Sequence, residues 1–300
     1  MAYQNVGTPR FYVNVLEYLS SVGYIQIDDK HRTHPTTMYP EESEIITIVP
    51  ENIFIEKSFV AYLGHTGGKL HFVTAFGDDI SVNASKGTTG QLLPEWDGFS
   101  IASFNGFDIA PNQGNTISTW HEFPLSSIVV GNYYDMPHSP DLSLTMTREY
   151  GGIKIIETKG GASLSNAFYS KPPAWGDLGA WEIGGGDPKL SKSGRRVWDL
   201  SFSYLQDSSL FPDVSALRNY GVEGYSEGDS ATLNTLLNGD DFYGQVIHKT
   251  NGGQLPFIFQ PDKDNDNPDQ FAICKFDSGF KFNQVANGVY NVKLKIREVW

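Results

Sequence analysis

Two stretches of strict alternation constrain this 300-residue chain more than anything else in it. From Trp198 to Tyr204, the large apolar groups Trp198, Leu200, Phe202 and Tyr204 alternate with Asp199, Ser201 and Ser203. From Tyr290 to Arg297, the apolar Tyr290, Val292, Leu294 and Ile296 alternate with Asn291, Lys293, Lys295 and Arg297. A period of two gives a strand with one buried face and one wet face. Such strands must find partners, so a sheet runs through the C-terminal third. Its last strand carries a basic stripe and leads to a terminal Trp300.

The rest of the composition fits a β-rich chain. Aromatic residues make up 13%, and 31 Gly and 16 Pro supply turns. The charge balance is acidic: 22 Lys+Arg against 35 Asp+Glu gives −13. That argues against nucleic-acid binding through phosphate neutralisation, which needs clustered cations. The acidity keeps a protein soluble, or lines a passage through which a polyanion slides. One cysteine, Cys274, excludes an internal disulfide, and the apolar run Phe271–Cys274 makes it a small buried hydrophobe. No signal-peptide pattern or membrane-length apolar run is visible, so the expectation is a protein made in a cytoplasm.

Taken in order, Val13, Leu16 and Leu19 have the spacing of a short helix up to Gly23, and Tyr24–Ile27 alternates like a strand. Strands are then predicted at Ile45–Val49, Phe59–Leu63, Leu70–Thr74, Ile80–Asn83, Gly98–Phe104 and Ser126–Val130. This spacing suggests an N-terminal β-sandwich over residues 1–130. Asn132–Pro140 reads as an extended linker. Leu142–Thr147 and Ile153–Thr158 read as a hairpin turning at Gly151-Gly152. The second domain is expected over 131–300. After the Trp198 strand come a polar loop (Gln206–Gly228), a helix at Ser230–Leu237 and a second helical segment capped by Asp240 or Asp241. Asn251-Gly252 stops that segment. Leu255–Phe259 follows as a strand whose Pro256 confines it to an edge or to a strand start. The fold class is mainly β with minor α.

Candidate sites are few. Trp96 and Trp120, with Tyr62, could stack on sugar rings if the sandwich binds carbohydrate; as core residues they would do no such thing. His31-Arg32-Thr33-His34 reads as a solvated loop rather than a metal pair. Asp262, Asp264 and Asp266 begin like a calcium loop, but Asn267 and Ile273 stand where Gly and Glu are needed, so a turn is the better reading. Gly184-Gly185-Gly186 lacks the spacing of a phosphate loop. No metal or cofactor is implied and no motif places a catalytic pair, so an enzyme is the least favoured class. Lys293, Lys295, Arg297 and Trp300 are the candidate subunit-interface residues, through a basic stripe meeting an acidic neighbour or simply an exposed face that protects an edge.

One order of elements carries a resemblance. A Trp198-x-Leu200-x-Phe202 strand is followed by helical segments ending in His248-Lys249-Thr250-Asn251-Gly252-Gly253. Pro256-Phe257-Ile258-Phe259-Gln260-Pro261, Phe271-Ala272-Ile273-Cys274 and a closing strand from Gly288 to Arg297-Glu298-Val299 complete it. Over Arg195–Trp300 this resembles the minor tail protein M family of lambda-type bacteriophages, and more loosely the distal tail proteins. The long loop at Gln206–Gly228 and the N-terminal 130 residues depart from that pattern. The resemblance implies a tail-tube-like domain in a structural virion protein, assembled in the host cytoplasm. It implies a hexameric or trimeric ring at the distal end of the tail, with the tail tube protein, the tip or baseplate hub protein and the tape measure protein as neighbours. It implies no catalytic residue, no sequence-specific nucleic acid and no membrane. The last strand and the Gln206–Gly228 loop are expected at subunit interfaces. The rival reading, from a different class, is a receptor- or carbohydrate-binding virion protein acting through Trp96 and Trp120.

Overall fold

The computed structural model describes residues 7–33, 42–47, 53–63, 68–73, 79–84, 99–109, 116–121, 127–149, 153–167, 174–175, 178–179, 195–212, 239–266, 270–277 and 279–299. Along the chain, β1 (Arg10–Asn14) runs directly into α1 (Val15–Ser21). Six strands follow: β2 (Glu42–Thr47), β3 (Ile53–Leu63), β4 (Gly68–Val73), β5 (Asp79–Ala84), β6 (Phe99–Ile109) and β7 (Thr116–His121). Then come β8 (Ser127–Asp135), β9 (Thr145–Glu149), β10 (Ile153–Glu157), β11 (Ser163–Ala167), β12 (Ala174–Trp175) and β13 (Leu178–Gly179). The last part holds β14 (Arg195–Gln206), a one-turn α2 (Asp207–Leu210) and a π-helical segment (Tyr243–His248). It closes with β15 (Phe257–Gln260), β16 (Ala272–Phe276), β17 (Lys281–Ala286) and β18 (Val289–Glu298).

The protein is mainly β with minor α. Its largest sheet has ten strands, in the order β6-β3-β8-β1-β15-β16-β18-β14-β9, with β17 also paired to β18. Every pairing in it is antiparallel. β2, β7, β4 and β5 form a separate four-stranded sheet.

The middle of the large sheet is buried on both sides. Phe11, Val13, Phe257, Phe259, Ala272 and Cys274 join one core with Trp198, Leu200, Phe202, Phe242 and Val246. Tyr12, Ile258, Phe271 and Ile273 join the other with Phe59, Ala61, Leu63 and Val129. That is why β15 and β16 read as unbroken apolar runs while β14 and β18, wet on one face, alternate. Pro256 stands just before β15, in the centre of the sheet, where the missing N–H leaves the ladder intact.

Residue 131, expected to separate two domains, lies inside β8. β1, β3 and β6 from before it and β15 to β18 from after it share one hydrogen-bonded sheet. Gly131 is needed for a different reason than a linker. It faces Asn14 across the β1–β8 ladder, and a Cβ there would run into the Val13 carbonyl oxygen. The expected linker after it is therefore half strand, through Asp135.

Other expectations also need correction. The 142–147/153–158 hairpin does not form. β9 pairs with β14, and β10 pairs with β11 across the turn Thr158–Ala162. Tyr24–Ile27 is not a strand, although Ile25 is buried. The loop at His31 is only partly solvated: His31 and Thr33 are buried, Arg32 is exposed, and His34 lies outside the described residues. Asn14 caps α1 by accepting the Glu17 N–H, and the buried Glu17 carboxylate accepts from Thr33 N–H and Oγ (3.0 and 2.9 Å). The loop folds in because that carboxylate needs donors. The expected helix at 230–237 and the Gly184–Gly186 loop lie outside the described residues. The second helical segment forms, with the Gly244 N–H donating to Asp241 Oδ1 at 2.7 Å and left-handed Asn251 and Gly252 ending it.

Candidate interface on the outer face of the C-terminal strands

β14 and β18 pair from Val197↔Arg297 to Gln206↔Val289, with a break between Phe202 and Leu205. Trp198, Leu200, Phe202, Val292, Leu294 and Ile296 face the core, so their strand neighbours face outward. Tyr204 was expected on the buried face but is 74% exposed. It sits at φ 62°, a conformation uncommon for a bulky residue, and the bulge hands its place in the core to Leu205. The Asn291 side chain holds it there by accepting the Tyr204 N–H at 3.1 Å.

β17 was not anticipated, because residues 281–286 lack a buried stripe. The legible signal is Asn287-Gly288, a two-residue hairpin turn, with Gly288 at φ 66°. Through this hairpin Lys281 comes to lie directly opposite Lys293. On the other side of β18, Lys293 faces Ser201 and Lys295 faces Asp199. A cavity of about 560 Å³ opens over these strands, lined by Ser143, Ser201, Phe280, Lys281, Lys293 and Lys295, among others.

The basic stripe is not uniform. Lys295 Nζ lies 2.9 Å from Asp277, whose hydrogen bond raises the lysine pKa. Arg297 reaches Glu149 at 2.9 Å and Asp277 at 3.9 Å. Both are thus engaged within the chain. Lys281 and Lys293 are exposed and have no ion-pair partner among the described residues. Edge protection does not account for the stripe, because β18 is interior to the sheet, between β14 on one side and β16 and β17 on the other. Two ammoniums side by side, with the hydroxyls of Ser143 and Ser201 nearby (3.2 Å apart), can hold carboxylate or phosphate oxygens.

Of the other predicted site residues, Trp96 and Trp300 lie outside the described residues. Trp120 falls on β7, opposite His71 and Ser43, and its side chain is outside the described set. Tyr62 is fully buried in β3 and cannot stack on a sugar. Asp262 accepts the Asp264 N–H at 3.1 Å, the expected turn geometry. Among the described residues there is no cluster of three potential metal ligands, and no helix is long and apolar enough to cross a membrane. Cys274 is fully buried, and burial raises its thiol pKa well above the usual value.

The sequence did not reveal a buried ion pair at the other end of this ladder. Arg196 and Glu298 meet at 3.0 Å, and the Arg196 N–H also donates to Glu298 at 2.8 Å. A second guanidinium N–H donates to the Phe271 carbonyl at 2.9 Å. The signal was available in Glu298: a carboxylate on the apolar parity of the last strand.

Comparison with protein-family models, with curated proteins and with solved structures gave no match.

Proposed function

We propose that this chain is a structural protein of a bacteriophage tail. It forms a ring at the distal end, joining the tail tube to the tip or baseplate hub. The supporting observation is the β14–β18 ladder with β17 beside it: one face closes a core around Trp198, and the other carries Lys281 and Lys293, exposed and without an ion-pair partner among the described residues, in a chain of net charge −13. A cationic face on an acidic protein gives each copy something complementary to hold, and heterologous contacts of that kind make a ring when the rotation between copies closes. Of the motifs in residues 195–300 that resemble minor tail proteins, the Trp198 strand and the closing strand build this ladder, and the others build the helical segment, β15 and β16 beside it.

The test is direct. The purified full chain is examined by light scattering and negative-stain electron microscopy at micromolar concentration. Closed rings are expected; a chain that stays monomeric at every concentration overturns the reading. Deleting the last strand would be uninformative, since β18 is the central partner of β14, β16 and β17.

A further inference from the structure

We infer that the Lys281–Lys293 cavity is the receiving half of a contact between copies of this chain. It takes the acidic turn Asp262–Asp266 of a neighbouring copy. This inference rests on the ring reading and adds which surfaces meet.

Four observations carry it. Like charges directly opposite on a ladder destabilise it, and Lys281 faces Lys293 in register. Asp277 is engaged by Lys295 and Arg297; Asp199 also lines the cavity, but in the ladder it stands opposite Lys295 and not opposite Lys281 or Lys293. The pair also opens onto a cavity large enough for several side chains, with hydroxyl donors on one wall and Phe280 on another. Finally, the connection between β15 and β16 presents Asp262, Asp264 and Asp266 within five residues, Asp264 and Asp266 being exposed. The turn is held by the Asp262 side chain and by the Asn265 N–H donating to the Asp262 carbonyl at 3.0 Å. Lys263 pairs with Asp264 at the surface, which leaves the turn net acidic.

One molecule cannot satisfy itself. The β15–β16 end of the sheet is level with Val299, whose N–H donates to the Ile273 carbonyl. Lys293 is six residues back along β18, roughly 20 Å at the strand rise. The cavity and the turn are therefore two different patches, and a contact between them is heterologous.

Charge reversal tests this. Lys281→Glu with Lys293→Glu, and separately Asp264→Lys with Asp266→Lys, should each weaken ring assembly by about tenfold or more. The four substitutions combined in one chain restore opposite charges and should recover assembly. Wild-type rings that both reversed chains form equally well, with unchanged circular dichroism, overturn this inference and leave the ring reading standing. A wild-type chain that never assembles overturns both. A milder variant guards against misfolding. Lys281→Gln removes the repulsion, so it should weaken assembly and, at a concentration where the chain is monomeric, raise the melting temperature. A lowered melting temperature would overturn the inference, because the two ammoniums would then not be in conflict.

Discussion

Arg196 and Glu298 illustrate how much one pair can decide. Both are buried, the guanidinium lies over the Trp198 ring at 5.3 Å, and the carboxylate takes two side-chain bonds and one backbone N–H. The pair ties the start of β14 to the end of β18 and to the segment before β16. Removing one partner leaves a buried charge without its counterion, so Glu298→Ala should cost about 3–5 kcal/mol. Urea unfolding measures this, and a loss below about 1 kcal/mol would refute the assignment. Replacing both partners with apolar residues of similar volume should recover most of the loss, since desolvation then falls away. The parity of Glu298 flags a buried carboxylate, but no feature of spacing names Arg196 as its partner. That partner emerges only when β14 is laid beside β18.

Among the elements, the π-helical segment is held to the sheet by polar groups rather than only by its apolar face. Lys249 is fully buried and donates to Gln245 Oε1 at 2.7 Å and Asn132 Oδ1 at 3.3 Å, linking the segment to β8. Burial pushes its ammonium down to about 7, against the opposing pull of Asp241. The neighbouring His248, 2.8 Å from the Tyr18 hydroxyl, is also lowered by burial and by Lys249. The unfolded chain keeps the Lys249 proton up to its ordinary value, while the native chain gives it up near 7. Stability should therefore rise with pH from about 7 to about 10.5, and be flat in this respect below 7. In Lys249→Met that rise should vanish. An unchanged slope, measured by chemical denaturation across the window, would count against it. Above pH 10 the buried hydroxyls of Tyr62 and Tyr134, raised by burial, work in the opposite direction. Element type was legible here from Phe242, Val246 and Ile247, and strand type from Trp198 and Val292. Tyr204 was misread because a bulge changes parity without any change in the sequence pattern. The pairing of β9 was misread because a local Gly-Gly turn lost to a better long-range partner, the exposed side of β14.

For the whole molecule, the ten-stranded sheet sets the unit of folding. β1, near the N-terminus, sits between β8 and β15, so residues 131–300 alone lack the strand that joins their two sides. A 131–300 fragment should show no cooperative unfolding and poorly dispersed amide resonances, whereas the full chain unfolds with β1 in place. A well-dispersed spectrum from the fragment would show that β1 is dispensable. What the sequence determined by itself was the strand-rich class, the faces of β18 and of β14 as far as Phe202, the buried cysteine and the helical segment ending at Asn251-Gly252. These follow from periodicity, turn chemistry and composition, which act within a few residues. Only the tertiary structure decided that the two halves share one sheet, that Gly131 is a close approach rather than a linker, and that Lys295 and Arg297 are engaged while Lys281 and Lys293 have no ion-pair partner among the described residues. Those outcomes depend on which distant strands pair. That is a competition among hydrogen-bonding edges and buried faces that no local pattern records.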